Sequence, residues 1–213
     1  MDRNKPLLGH TKIDYDECCA KLTLEDLFPE RYGELKLSDK PDLQGKDVGI
    51  EVTIANDRKI QEALNNWITA YHTEDEKIKK RCIDRMAQLG VKYTGGVQSW
   101  PLCAVSFDLT KKSIDSKISK LKKGGYLPFP RYELFIFTDT WFYDEILDEA
   151  KQYMFRKEIS DYYKTIYVFS EGIVLHVFET DLCLYKKIQI ETTEQTKRNC
   201  RARELIEEAE NDS

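Results

Sequence analysis

The chain lacks the long apolar run that a membrane helix needs, since none of its hydrophobic stretches approaches the ~20 residues that cross a bilayer. Its first residues, "MDRNKPLLGHTKIDYDE", contain no apolar core of a secretory signal, so cytoplasmic residence is expected and a membrane partner is not. Paired metal-ligand spacing is missing too. The six cysteines include no C-x-x-C; Cys18 and Cys19 are adjacent, and Cys82, Cys103, Cys183 and Cys200 are scattered. The three histidines, His10, His72 and His176, are far apart. A zinc site or a disulfide framework is therefore not expected, and reduced structural thiols are. No internal repeat or low-complexity segment is present. A net charge of −5 argues against a protein coated in nucleic acid, although a local basic face can coexist with that average.

What is present suits one globular domain. In 213 residues, 41 % are hydrophobic, with 12 Tyr and 9 Phe, enough to build a sizeable core. Apolar spacing predicts a helix over about 15–35, interrupted at Pro29. Two short-range strands follow, at about 42–44 and 48–55, joined through Gly45, Lys46 and Asp47. Asn56 or Asp57 caps a helix "RKIQEALNNWITAYH", whose Ile60, Ala63, Leu64, Trp67, Ile68 and Tyr71 form one stripe. A second helix ends near Gly90, residues 91–109 read as irregular or weakly β, and "KKSIDSKISKLKKGG" reads as a basic helix. The last third predicts a strand "YELFIFTDT", a helix "YDEILDEAKQYMFRK", two strands turning at Glu171-Gly172 and a polar C-terminal helix. Strand, helix, strand implies a parallel crossover, and the whole is an α/β domain on a mixed sheet.

The segment "VGIEVTIA" is the most β-branched run of the chain, yet Glu51 stands at its centre. Strand alternation puts Ile50, Val52 and Ile54 on one face and Gly49, Glu51, Thr53 and Ala55 on the other. Asp42 opens the preceding strand. If the two strands pair, their backbones lie ~4.8 Å apart, and the two carboxylates converge. Neighbouring carboxylates repel and raise each other's pKa, a conflict that a divalent cation removes. Oxygen ligands completed by water suit Mg²⁺ or Mn²⁺. The alternative for Asp42 is a turn cap, and for Glu51 an ion pair with a neighbouring Lys or Arg.

Pro41-Asp42, eight intervening residues and Glu51-Val52-Thr53 resemble the PD-(D/E)xK signature of the restriction-endonuclease-like nuclease superfamily. The resemblance extends to element order. That superfamily has a leading helix, a three-strand meander whose first two strands carry the acids, then a helix and a strand parallel to the third. Here the leading helix, the two acid strands, "YELFIFT", "YDEILDEAKQYMF" and "TIYVF" fill those places. The resemblance implies a restriction-endonuclease-like mixed sheet flanked by helices in a single domain, 1–213, with a helical insert at about 57–130 between the second and third core strands.

It further implies a metal-dependent nuclease that hydrolyses phosphodiester bonds, in DNA rather than RNA. Asp42 and Glu51 would ligate Mg²⁺ (or Mn²⁺), with the Val52 carbonyl as third ligand. The departure is Thr53, which stands where the signature has Lys; its hydroxyl brings no positive charge. Lys46 and Lys59 are the nearest substitutes, and Lys12 has no placement. From the leading helix region Glu17 or Glu34 would support the metal, although spacing does not set them apart from Glu25 and Glu30. Gln61 could reach water or phosphate. An inactive member of the fold, binding nucleic acid or protein, is the alternative, and a structural or regulatory α/β module is a third reading. A homodimer is among the open assemblies.

Lys111, Lys112, Lys117, Lys120, Lys122 and Lys123, followed by Arg131, read either as a phosphate-tracking helix or as an ordinary solvated face. Asp139, at the end of a strand, reads as a functional carboxylate or as the cap of the next helix. His176 alternates with apolar residues and reads as a core histidine. Trp67, Trp100 and Trp141 read as packing residues, with Trp100 also able to stand on a loop.

Overall fold

The computed structural model describes residues 11–93, 97–99 and 106–211. His10, Trp100 and Cys103 lie outside them. The described residues form two compact units, 11–55 with 106–211 and 56–93 with 97–99.

The larger unit is built on a seven-stranded mixed sheet. Its elements, numbered in chain order with those of the smaller unit, are α1 (Tyr15–Leu27), α2 (Pro29–Tyr32), β1 (Lys36–Leu37), β2 (Leu43–Gln44), β3 (Val48–Ile54), α5 (Asp108–Lys123), β6 (Arg131–Thr138), α6 (Asp144–Met154), α7 (Lys157–Ser160), β7 (Thr165–Ser170), β8 (Val174–Glu179), β9 (Leu184–Gln189) and α8 (Thr192–Asn211). The strand order is β1-β2-β3-β6-β7-β8-β9. Strands β3, β6 and β7 run parallel to one another, and the other pairings are antiparallel.

Local chemistry sets the element ends. Asp14 caps α1 by accepting from the Asp16 and Glu17 amides. Pro29 opens α2 at a position where its missing N–H costs nothing. Gly124, at φ +78, stops α5. Glu171 and Gly172 both have positive φ, the geometry that a tight β7–β8 hairpin requires.

The sheet buries both faces. On one, Val48, Ile50 and Val52 join Phe135, Tyr167, Leu175 and Val177 under Ala20 and Leu24 of α1, against which α8 packs. On the other, Ala55, Leu134, Ile136, Ile166 and Val168 lie under Ile114 and Ile118 of α5 and Ala150 and Met154 of α6. The first face also holds a buried polar knot. Glu133, wholly buried, accepts from the Arg31 guanidinium at 2.6 Å, from the Tyr32 hydroxyl, and sits 3.1 Å from Arg131. The burial of so many polar atoms is offset by this mutual pairing.

The expected meander is corrected. "YELFIFT", as β6, pairs parallel with β3, so it is not the third strand of an antiparallel meander. That meander is β1-β2-β3, and the acids fall at its second and third strands. The two residues of β1 are too few to show alternation. The insert consequently follows the third meander strand, not the second. It is also shorter than expected as a separate body: α5, within the expected 57–130, packs on the sheet as the crossover helix between β3 and β6. Strand β9, "LYKKIQ", was not anticipated either, because this edge strand is mostly exposed and its half-buried residues, Tyr185 and Ile188, fall on opposite faces and give no alternation.

The smaller unit contains α3 (Arg58–His72), α4 (Glu76–Gln88) and a two-stranded ribbon of β4 (Lys92–Tyr93) and β5 (Val97–Ser99). Asp57 caps α3, as one of the two expected caps, and Asp75 caps α4. Ala63, Ala70, Cys82, Met86 and Val91 form its core, with Trp67, Ile78, Ile83 and Leu89 packed around them.

Candidate active site

The pairing of Leu43 with Ile50 and Gln44 with Gly49, continued by one residue, sets Asp42 opposite Glu51. The two carboxylates therefore share one face at the end of β2, where the strand partner of β3 stops. Asp42 is fixed there by accepting a hydrogen bond from the Val52 amide at 2.6 Å. That bond also turns the Val52 backbone toward the β2 side.

A lysine completes the group. Lys117 of α5 places its ammonium 2.7 Å from Glu51 Oε2 and 3.5 Å from Asp42 Oδ2. The Tyr126 hydroxyl donates to the same Glu51 oxygen at 3.2 Å. Side-chain exposure grades from 3 % at Glu51 to 12 % at Lys117 and 16 % at Asp42, so Glu51 is the floor and the other two are the rim. Burial raises the Glu51 carboxyl above its usual range; Lys117 opposes that shift, and Asp42 adds to it. Glu17, on α1, is pushed up to about 7, by burial first and then by the charges of Asp42 and Asp14, with Glu51 adding and Lys117 opposing. Tyr126 is raised to about 12 by burial and then by Glu51.

Two buried atoms at this place have no hydrogen-bond partner among the described residues: Glu51 Oε1 and the Tyr163 hydroxyl. Glu51 and Asp42 are also among the charges that, after burial, raise Tyr163. Buried oxygens of this kind are ordinarily satisfied by water or an ion. A carboxylate oxygen facing no protein donor, beside a second carboxylate at the rim, suits a hard cation. Among the described residues no group of three or more His, Cys, Asp or Glu side chains is placed to hold a metal. Mg²⁺ does not require one, since it keeps several waters and is often held by one or two carboxylates plus substrate phosphate.

The other sequence-derived residues fall as follows. Thr53 points to the Glu51 face and is half-buried. Lys46 is exposed in the β2–β3 turn, and no hydrogen bond or ion pair joins it to either acid. The cation expected there is supplied by Lys117. Glu34 lies exposed on the bend after α2 and makes no hydrogen bond to Asp42 or Glu51, whereas Glu17 feels the charge of both. Lys59 and Gln61 stand on α3 in the smaller unit, where Gln61 faces Asn65 at 3.4 Å. Lys12 donates to α8, its ammonium to the Ala209 carbonyl and its backbone amide to the Glu210 carboxylate. The basic run is not one uniform surface. Lys117 turns inward, Lys111 pairs with Glu149 at 3.6 Å and lies over Tyr153, Lys122 lies over Tyr162, and Lys112, Lys120 and Lys123 are exposed.

Lys117 as the partner of the acids, and Tyr126, are what the sequence reading missed. Ile114, Ile118 and the partly buried Leu121 mark the buried stripe of α5, and Lys117 falls within it at helical spacing. A lysine inside an apolar stripe needs a buried anion, and that was the available signal. Two smaller readings are also corrected. The cap position of α6 is Tyr143, so Asp139 does not cap that helix. Trp141 is 49 % exposed and is not a packing residue, while Trp67 is. His176 is buried, as expected, between Ser170 and Tyr185.

The fold and site thus define an α/β protein with a mixed sheet and a Lys-carboxylate cluster at the short edge of its meander. No family model, curated protein or solved structure matches the chain. No helix among the described residues is long and apolar enough to cross a membrane.

Proposed function

We propose that the protein is a metal-dependent phosphodiesterase acting on nucleic acid, DNA in preference to RNA, in the cytoplasm. The observation that carries the reading is the position of Lys117: one ammonium lies within 2.7 Å of Glu51 and 3.5 Å of Asp42. It supplies from α5 the positive charge that Thr53 cannot supply from β3. The order α1, β1, β2, β3, α5, β6, with β6 parallel to β3, supports the restriction-endonuclease-like reading.

Asp42 and Glu51 would hold Mg²⁺, with the Val52 carbonyl on the same side. A bound dication of this kind polarises a phosphoryl oxygen and lowers the pKa of water. The remaining chemistry belongs to the chain. The Val52 amide locks Asp42 in one orientation, so the pair is preorganised. Tyr126 holds Glu51 Oε2 and leaves Oε1 for the ligand. Lys117 has three N–H donors; with two directed at the acids, the third is available to an attacking water or a phosphate oxygen. Water would attack phosphorus and give up a proton to solvent as the bond to the leaving oxygen breaks, the leaving oxygen would take up a proton from solvent, and the ammonium would offset the charge that develops.

A second reading has a specific observation in its favour. The Glu51–Lys117 pair is already satisfied, as a purely structural ion pair would be, in a non-catalytic binding module. Cleavage of a linear DNA duplex in Mg²⁺ separates the two. The phosphodiesterase reading expects wild-type cleavage, loss of at least 100-fold in Glu51→Gln with the fold retained, and loss in Lys117→Met. It also expects partial rescue of Lys117→Met by Thr53→Lys, because that side chain shares the Glu51 face. No wild-type cleavage of DNA or RNA in Mg²⁺ or Mn²⁺ would favour the binding module.

A further inference from the structure

The smaller unit carries a concentration of charge that the site does not use. Its residues 56–93 contain eight Lys or Arg against six Asp or Glu, in a chain whose net charge is −5. The excess is organised on α4. Ile78, Cys82, Met86 and Leu89 turn inward to the core of this unit. The opposite side of the helix presents Lys77, Lys80, Arg81, Asp84, Arg85 and Gln88, which line one open depression of about 420 Å³. At ~100° per residue these six positions span about 140° of the helix circumference, a single face. The lysines of α5, by contrast, point all around their helix, and several are engaged.

The cations of α4 are available. Lys77, Lys80 and Arg81 are exposed, and no carboxylate among the described residues pairs with any of them. Arg85 is held extended by Glu62 of α3 at 2.6 Å and by Gln88 at 3.0 Å, so its guanidinium is preorganised on the same face. From Lys77 to Arg85 the helix rises ~12 Å, a span of a few phosphates along a nucleic-acid strand. The face holds no exposed large apolar residue, so it lacks the anchor that a protein partner would bury.

We propose that this face of α4 grips the phosphate backbone of nucleic acid, independently of the Lys-carboxylate site. The identity of the polyanion rests on the phosphodiesterase reading; the location of the surface does not. Contacts made only to phosphate give binding that is indifferent to sequence and steep in salt.

The test is fluorescence anisotropy with the full chain in EDTA, so that cleavage plays no part. The probes are a labelled 20-bp DNA duplex, the matching RNA duplex and labelled polyglutamate. Lys77→Glu, Lys80→Glu and Arg81→Glu are combined in one variant. Lys186→Glu, Lys197→Glu and Arg201→Glu, exposed cations of the larger unit, make a control of equal charge change. The proposal expects the α4 variant to bind DNA at least 10-fold more weakly in 100 mM salt and the log–log salt slope to become shallower by about 3. The control should change affinity less than 3-fold. DNA binding unaltered in the α4 variant, an equal loss in the control, or polyglutamate bound as tightly as either duplex would each overturn it. The two nucleic-acid arms identify which backbone is preferred. Salt-steep binding through α4 in a chain that cleaves nothing would leave this surface standing and remove the hydrolase. Cleavage in Mg²⁺ with binding undiminished by the α4 changes would do the reverse.

Discussion

Lys117 Nζ lies 2.7 Å from Glu51 Oε2, and these two residues come from elements 66 positions apart in sequence. The pair gives Glu51 a full countercharge. Removing the ammonium in Lys117→Met strands a buried carboxylate, at a cost of about 3 kcal/mol. The ammonium and a metal ion would also compete for these two carboxylates, because two positive charges held against one acid pair repel each other. Lys117→Met is therefore expected to melt several degrees below wild type, and Mg²⁺ is expected to raise its Tm by more than it raises that of wild type. Differential scanning fluorimetry over a Mg²⁺ series measures both. A smaller Mg²⁺ shift in the variant would contradict the competition.

Gly49 controls the site from beneath. A Cβ at Gly49 would stand 2.5 Å from Pro41 Cγ and 2.9 Å from Phe129. Pro41 cannot swing aside without moving Asp42, its chain neighbour. Gly49→Ala is expected to lose more DNA cleavage than stability, with at least a 10-fold fall in kcat at a temperature where circular dichroism shows native structure. Unchanged cleavage would mean that Asp42 is not held by this packing.

Glu133 tests what holds the sheet's other face. Itself wholly buried, it accepts from Arg31 and Tyr32 in a knot that also contains Tyr167 and the half-buried Glu179. Glu133→Gln removes the anion while keeping the shape, leaving two guanidinium groups without it. Urea unfolding is expected to show a loss of about 3 kcal/mol with an unchanged m-value. Tyr167→Phe deletes a single hydroxyl from the edge of the network and is expected to cost about 1 kcal/mol.

His176 gives the fold a pH dependence. Burial, and then the nearby charge of Lys187, lower its pKa from 6.5 to about 4. The folded state therefore holds it neutral, while the unfolded chain takes up a proton below 6.5. Its contribution is complete above pH 6.5 and is lost progressively as the pH falls toward 4, up to on the order of 3 kcal/mol. Wild type should lose Tm over that window, and His176→Gln should lose distinctly less. Equal slopes in the two proteins would exclude His176 as the cause.

The parts of the fold that were legible in the sequence are those with a strong local period. Helix α3 follows directly from its stripe and its Asp57 cap, and β6, β7 and β8 from apolar runs broken at Glu171-Gly172. The Asp42–Glu51 neighbourhood was legible because a short turn fixes strand register. Strand β1 was not, since two residues carry no alternation, and missing it displaced the meander by one strand. The role of Lys117 was obscured by its neighbours. Counted with five other lysines it looked like part of a charged face, and only the positions of Ile114, Ile118 and Leu121 set it apart. Which long-range partner a buried charge selects is decided by packing between α5 and β3, which no local spacing encodes.

The central claim is that Asp42 and Glu51 together hold a dication beside Lys117. Anomalous diffraction from crystals soaked in Mn²⁺ tests it most directly. The account predicts one strong peak within coordination distance of a carboxylate oxygen from each residue, with the Lys117 ammonium displaced from Glu51 and still adjacent. Crystals saturated with Mn²⁺ that show no density there, while Lys117 continues to bridge the two acids, would contradict it.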